Sequence, residues 1–499
     1  MIHRIAALAV AGVLATGAAA AAPSGTGAGG AGPRPPVTSP PPTPPPPGGA
    51  NGEAWAWTQL TSNGTRIRYV STDTSRTCPA VRYTLRGNRA PFRMTTVSTP
   101  MGSQFPTTVC ELAVPLTAAD AVIDASTVQA ATVHPANRQL PLPSWTAATR
   151  PGRIAVIGDT GCEVPTTGAV QDCANHQTGW PFPRVAASAA TVTRPDLVIH
   201  VGDYLYREDP SRENDKAANP GCTQSTESAS WACVVADFFR PAESLLATAP
   251  IALTRGNHED CNMTQLGGAG GAWFRYLADE LRSNGTCSLY SPVAPIRAGT
   301  LNLVSVDSSF ADPNDNGSTA QAGIYTRQFN ALNQDTQQHS GDYFLFTHKP
   351  LWMVKSAGTL PTNVEWLTHV LDAAVAGTSR QALADRVRLV MSGHVHLYQM
   401  LDFGTHRPPQ LTVGSSGGPL DSGPDDSKVV GKMIGTPQQA VHQSITQEQT
   451  PGGLGIFGYA DLRDVGGTWT LAFRDAGGTV LGKTCALSGG LAAKAFVCQ

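Results

Sequence analysis

Five short groups of residues carry the chemistry of this chain: Gly158-Asp159-Thr160-Gly161, Gly202-Asp203-Tyr204-Leu205-Tyr206, Gly256-Asn257-His258-Glu259, the single His348, and Gly393-His394-Val395-His396. The carboxylates offer oxygen, the imidazoles nitrogen and the asparagine a neutral amide oxygen. That mixed donor set suits iron, zinc or manganese better than calcium. Two such ions about 3.5–4 Å apart hold a phosphoryl group and bring the pKa of a bound water close to neutrality. The expected reaction is therefore hydrolysis of a phosphate ester. Taken singly, Asp159 or Asp203 reads as a turn or cap residue, and His394 or His396 as a core or surface histidine. Five groups in one structural position are hard to dismiss.

That position is the end of a strand. Each group follows an apolar run with the length and β-branched content of a buried strand: Ile154-Ala155-Val156-Ile157, Leu197-Val198-Ile199-His200-Val201, Ile251-Ala252-Leu253, Tyr343-Phe344-Leu345-Phe346 and Val387-Arg388-Leu389-Val390-Met391. A sixth run, Leu301-Asn302-Leu303-Val304-Ser305-Val306, ends in Asp307, read as a supporting or strand-end carboxylate. Helical candidates at residues 236–248 and 364–384 lie between some of these runs, and strands alternating with helices indicate α/β layering. In an open α/β sheet the carboxyl ends of the strands face one crevice, so side chains distant in sequence converge there. Glycines beside the groups let the backbone turn sharply. Strand alternation would put His394 and His396 on one side of the sheet. His200 reads as a structural histidine, and Trp273, Phe274, Tyr276 and Leu277 as helix core beside a loop at 264–271 that borders the cleft.

The ordered set Gly-Asp-x-Gly, Gly-Asp-x-x-Tyr, Gly-Asn-His-Glu, a lone His and Gly-His-x-His resembles the calcineurin-like metallophosphoesterases, and within them the purple acid phosphatases. Gly161 and the Asp203 to Tyr206 spacing narrow the match. The resemblance implies a four-layer αββα sandwich. It also implies a first metal, ferric iron, on Asp159, Asp203, Tyr206 and His396, with the tyrosinate giving colour. A second ion, iron, zinc or manganese, would sit on Asp203, Asn257, His348 and His394, with Asp203 as the bridge. His258 would contact the substrate phosphate and help protonate the leaving group, with Glu259 orienting it. Tyr206 keeps a second reading as a ring packed over the site without coordinating. The chain departs from plant-type members after His348, where Lys349-Pro350-Leu351-Trp352-Met353-Val354-Lys355 contains no further histidine. Lys349, Lys355 or Arg255 would then stabilise phosphate charge.

Composition bounds the partners. Lys+Arg 35 against Asp+Glu 37 in 499 residues gives a net charge of −2 with no basic run, which argues against nucleic-acid binding. The expected partner is a small phosphate ester, with a diester or a nucleotide as the alternative substrate and the oligomeric state open. The N-terminus has the layout of a secretory signal peptide over residues 1–22: Arg4, an apolar stretch short of the ~20 residues a membrane span needs, then small residues. A Pro/Gly-rich linker without fixed structure follows over 23–50. An exported protein, secreted or periplasmic and free of the membrane after cleavage, is expected. Export permits disulfides, and the spacing of the ten cysteines favours neighbours: Cys78 with Cys110, Cys162 with Cys173, Cys222 with Cys233, Cys261 with Cys287, and Cys485 with Cys498. Asn63, Asn262, Asn284 and Asn316 lie in glycosylation sequons. Residues 51–148 alternate like a small all-β domain, 152–480 form the catalytic domain, and 481–499 form a disulfide-linked tail after a hairpin at 469–481.

Overall fold

The computed structural model describes residues 52–499 apart from 215–218, 224–228, 262–268, 285, 312–319, 358–363, 368 and 448–455. The expected signal peptide and linker, the sequons at Asn262 and Asn316 and most of the 264–271 loop lie outside the described residues.

The apolar runs form two facing sheets. In the first, Arg153–Ile157 pairs in parallel with Leu197–His200, which pairs in parallel with Ile251–Leu253. In the second, Leu301–Val306, Asp342–Thr347, Val387–Ser392 and Gln410–Val413 run in parallel in that order. Successive strand side chains point to opposite faces, and both faces of these strands are covered. Ile154, Val156, Leu197 and Ile199 meet Leu303, Phe344, Phe346, Leu389 and Met391 in the core between the sheets. Ala155, Ile157 and Val198 face the other way, against Phe182, Val185, Phe238 and Leu245. Val304, Leu345 and Val390 pack on Tyr325, Phe329 and Leu332 of the helix Ala320–Gln338, and on Leu371 of His369–Ala376. Helices outside and two sheets within make the four-layer αββα arrangement.

The β-rich N-terminal region precedes these layers and shares the first sheet with them. Glu53–Thr61 pairs in parallel with Ile251–Leu253, Gln59 opposite Ile251, and is followed outward by Gly64–Ser71 and Thr108–Val114. Buried Arg68 joins the parts further, donating to Glu111, to Gln59 and to the carbonyl of Asp279. At the other end of the sheet, Thr468–Asp475 and Val480–Ser488 form the expected hairpin, and Ala495–Cys498 closes the edge. All five neighbour pairs of cysteines are disulfides. Among the described residues, no helix is long and apolar enough to cross a membrane.

The helix expected over 364–384 is shorter. Val364–Leu367 pairs antiparallel with Met353–Ser356, and the helix occupies only His369–Ala376. A Val-Glu-Trp-Leu segment with a partner strand beside it favours pairing over a helical turn. The helix expected over 236–248 instead starts earlier, at Trp231, and reaches Leu246 through a widened π turn at Val235–Phe239.

Candidate metal centre

The carboxyl ends of the two sheets meet, so Asp159, Asp203 and Asn257 approach from the first and His348, His394 and His396 from the second. Asp159, Asp203 and His394 all adopt left-handed backbone, with φ of 56°, 58° and 72°. That conformation costs an L-residue about 1–2 kcal/mol and persists where the surroundings enforce it. Here hydrogen bonds between the loops do so. The Asp159 N–H donates to the Gly202 carbonyl at 2.9 Å and the Thr160 N–H to the Asp203 carbonyl at 2.9 Å. The His394 N–H donates to the Asp159 carboxylate at 3.0 Å, and the His258 N–H to Asp203 Oδ1 at 3.0 Å. Alternation along a strand is not what orients His394 and His396: both lie in the bend between Val387–Ser392 and Tyr398–Asp402. The positive φ of His394 turns the chain there.

Four candidate ligands converge on one point. The Tyr206 hydroxyl lies 2.7 Å from Asp203 Oδ2, 3.1 Å from Asp159 Oδ1 and 3.0 Å from His396 Nε2. Gly161 permits this approach, because a Cβ there would stand 2.8 Å from the Tyr206 nitrogen and 2.9 Å from its ring. Burial, reinforced by Asp159 and Asp203, pushes the Tyr206 phenol well above its ordinary range. Burial opposes a charge on His396 as well, but its contact with Asp159 outweighs this and pushes the imidazole up to about 9. The two carboxylates bear on the phenol and the imidazole alike.

The second group shares Asp203. His348 Nε2 lies 3.1 Å from Asp203 Oδ2 and 2.9 Å from Asn257 Oδ1, and the His394 ring stands 5.1 Å from the His348 ring. Burial opposes ionisation of Asp203, yet His348 and His258 beside it hold the carboxyl well below the usual range. Asp159, Asp203 and His348 alone already place one donor atom each within 4.8 Å of one another.

The donor chemistry fits cations. His348 Nδ1 faces the Val201 carbonyl at 2.9 Å, and His396 Nδ1 faces the Pro419 carbonyl at 2.5 Å. A carbonyl only accepts, so each Nδ1 carries its hydrogen and Nε2 is the atom each ring turns toward the carboxylate and amide oxygens, able to hold a proton there or to give its lone pair to a cation. Carboxylate and amide oxygens gathered with imidazole nitrogens about one buried point are donors that borderline cations take. Imidazoles oriented by a second hydrogen bond are the usual arrangement around a bound metal.

Expectations about the surrounding groups change. Glu259 does not orient His258: it accepts the N–H groups of Tyr204 at 2.9 Å, Leu205 at 3.0 Å and Gly256 at 3.1 Å, and so shapes the Asp203 loop. The carboxylate facing His258 is Glu208, whose Oε1 lies 3.4 Å from Nδ1, while the His258 ring sits edge-on to Tyr206 at 4.3 Å. Two of the three cations considered for phosphate, Arg255 and Lys355, are paired away from the centre. Buried Arg255 pairs with Asp307 at 2.6 Å and donates to the Ser288 and Leu289 carbonyls. Lys349 donates to the Ala311 carbonyl, and Lys355 pairs with Glu365 at 3.4 Å on the surface. Asp307 is thereby the partner of Arg255. His200 is structural as expected, its Nε2 2.9 Å from the Thr160 hydroxyl and its ring stacked on Tyr204.

Several residues at the centre escaped the sequence reading. Gly414-Ser415-Ser416-Gly417-Gly418, after the strand Gln410–Val413, wraps Asp159: the Gly418 N–H donates to the Asp159 carbonyl at 2.7 Å and the Ser416 hydroxyl accepts from the Gly158 N–H at 3.3 Å. A small-residue run directly after a strand is the signal that marks it. Asp421 accepts the His396 N–H at 2.9 Å. Asp237, Arg207 and Glu213 lie buried behind Tyr206.

Residues 152–398 match the family model of calcineurin-like phosphoesterases. Among solved structures, a purple acid phosphatase isolated from yellow lupin (Lupinus luteus) seeds is similar to this chain at a TM-score of 0.49 and 14% sequence identity, over 85% of this chain and 72% of that one. Comparison with curated proteins gives no match.

Proposed function

The chain carries a calcineurin-like phosphoesterase domain and is a metal-dependent phosphoric ester hydrolase; from that premise we propose that it is an exported binuclear phosphatase of the purple acid type, acting on phosphate monoesters. Asp159, Asp203, Tyr206 and His396 would hold a ferric ion, and Asp203, Asn257, His348 and His394 a divalent ion of iron, zinc or manganese. The observation that carries the reading is the Tyr206 hydroxyl set among two carboxylates and an imidazole. A buried phenol in that field gives up its proton only to a strongly acidic cation.

When bound, the two ions would clamp the phosphoryl oxygens and lower the pKa of a water toward neutrality, which supplies the nucleophile. The chain's own residues do the rest. Asp203 sets the spacing of the two halves because its carboxylate reaches both. His258 stands at the edge of the centre with Nδ1 turned to Glu208, which leaves Nε2 to hold the proton that passes to the leaving oxygen. Hydrolysis is direct, without a covalent phospho-enzyme. Export is supported by the pairing of all ten cysteines, a state that persists in oxidising compartments.

The test is a comparison of rates on a monoester and a diester of one chromophore, with the metal content of the same sample determined. Faster turnover of the monoester supports the proposal. Faster turnover of the diester would replace it with a phosphodiesterase or nucleotidase on the same site, and full metal loading without turnover on either would overturn the catalytic reading.

A further inference from the structure

Asp237 lies on the helical segment 231–246, more than thirty residues from Tyr206 in sequence, and is wholly buried. Its Oδ2 accepts the Tyr206 N–H at 3.0 Å, and its Oδ1 accepts the Cys162 N–H at 3.2 Å and the Arg207 Nε–H at 2.6 Å. Arg207, also buried, pairs on its other side with buried Glu213. A single carboxylate thus ties the loop that carries Asp159 to the loop that carries Tyr206, at the place where Gly161 lets them touch. The Cys162–Cys173 disulfide fixes the first loop immediately beyond that contact. Asp237 itself sits in the widened π turn Val235–Phe239, a distortion found often at functional sites. Buried ion pairs seldom stabilise a fold better than apolar side chains of the same volume, so fold stability does not by itself explain three buried charges here.

We propose that Asp237, backed by Arg207 and Glu213, is a positioning residue that sets the Tyr206 oxygen at ligand distance from the metal it shares with Asp159. The proposal rests on the reading of Tyr206 as a ligand. It extends that reading to a charged clamp acting through the backbone of Tyr206, with no contact to substrate.

The test uses the full chain with Asp237→Asn, Arg207→Lys and Glu213→Gln, each checked for folding by thermal melting. Metals per chain after dialysis and the visible spectrum of the oxidised protein are then measured. Asp237→Asn keeps the volume but turns an amide N–H toward another donor. It is expected to hold the tyrosine-side metal about 10- to 100-fold more weakly and to shift the band, as losses of supporting hydrogen bonds at metal sites do. Arg207→Lys should have the same effect to a smaller degree and Glu213→Gln the least. A purely structural role would lower the melting temperature and leave band and retention unmoved, and that result in Asp237→Asn overturns the proposal. Should Asp237→Asn fail to fold, Arg207→Lys decides by the same readouts. A wild-type protein with two metals and no band would contradict the ferric tyrosinate reading, and metal retention in Asp237→Asn would then decide the clamp alone.

Discussion

The two halves of the centre are held by different means. On the asparagine side, His348 is fixed by the Val201 carbonyl, and the loop before Asn257 by Glu259 accepting the Gly256 N–H. On the tyrosine side the Tyr206 loop is anchored by buried charges, Asp237 with Arg207 and Glu213, and by a disulfide. Carbonyls suffice to aim an imidazole, whose lone pair needs only a direction. On the proposed reading the Tyr206 phenol coordinates only after losing a proton, so its oxygen would have to be held where a cation competes for it, and the buried ion pairs stand on that side.

The shared residue should matter most. Asp203→Ala is expected to strip both metals and lower turnover by about 10³-fold or more, since bound ions contribute several kcal/mol to such transition states. Metal analysis and a monoester assay check it, and a variant that keeps one metal and near-normal turnover would break the assignment of Asp203 to both halves. His348→Ala should separate the halves. Loss of one metal per chain is expected, with turnover down about 10²-fold or more and the tyrosine-side absorption retained; loss of that absorption instead would show the halves to be one unit.

Gly256→Ala probes the joint between the loops. A Cβ there would lie 2.0 Å from Asp203 Oδ1, so overpacking should cost about 1–3 kcal/mol, read as a lower melting temperature. The smallest effect is expected from Lys355→Ala, which removes an exposed pair with Glu365 of the kind that contributes about 0–1 kcal/mol. Turnover should stay at the wild-type level, and a marked fall would return Lys355 to the phosphate site.

The convergence of the candidate ligands was legible because they follow strands directly, and apolar runs mark strands. Pairing of neighbouring cysteines was likewise readable from spacing. Other features depend on contacts that no local pattern encodes. Residues 51–148 read as a β region, but nothing in 53–61 names Ile251–Leu253 as a partner strand. Asp237 reads as an ordinary helical carboxylate until Tyr206 is folded against it. Glu259 beside His258 suggested a pair, yet adjacent residues in a short helical turn point apart, and Glu208 arrives from another loop. Val364–Leu367 was read as helix because an apolar stretch of that length suits either state until a partner strand decides.

The identity of the Tyr206 ligand bond is the centre of the whole reading, and a visible absorption spectrum of the oxidised wild-type protein beside Tyr206→Phe tests it most directly, with metals counted in both samples. A broad charge-transfer band in the wild type that Tyr206→Phe abolishes, with about two metals per wild-type chain, is the expected result. Two metals without a band in the wild type, or a band that survives in Tyr206→Phe, would contradict it.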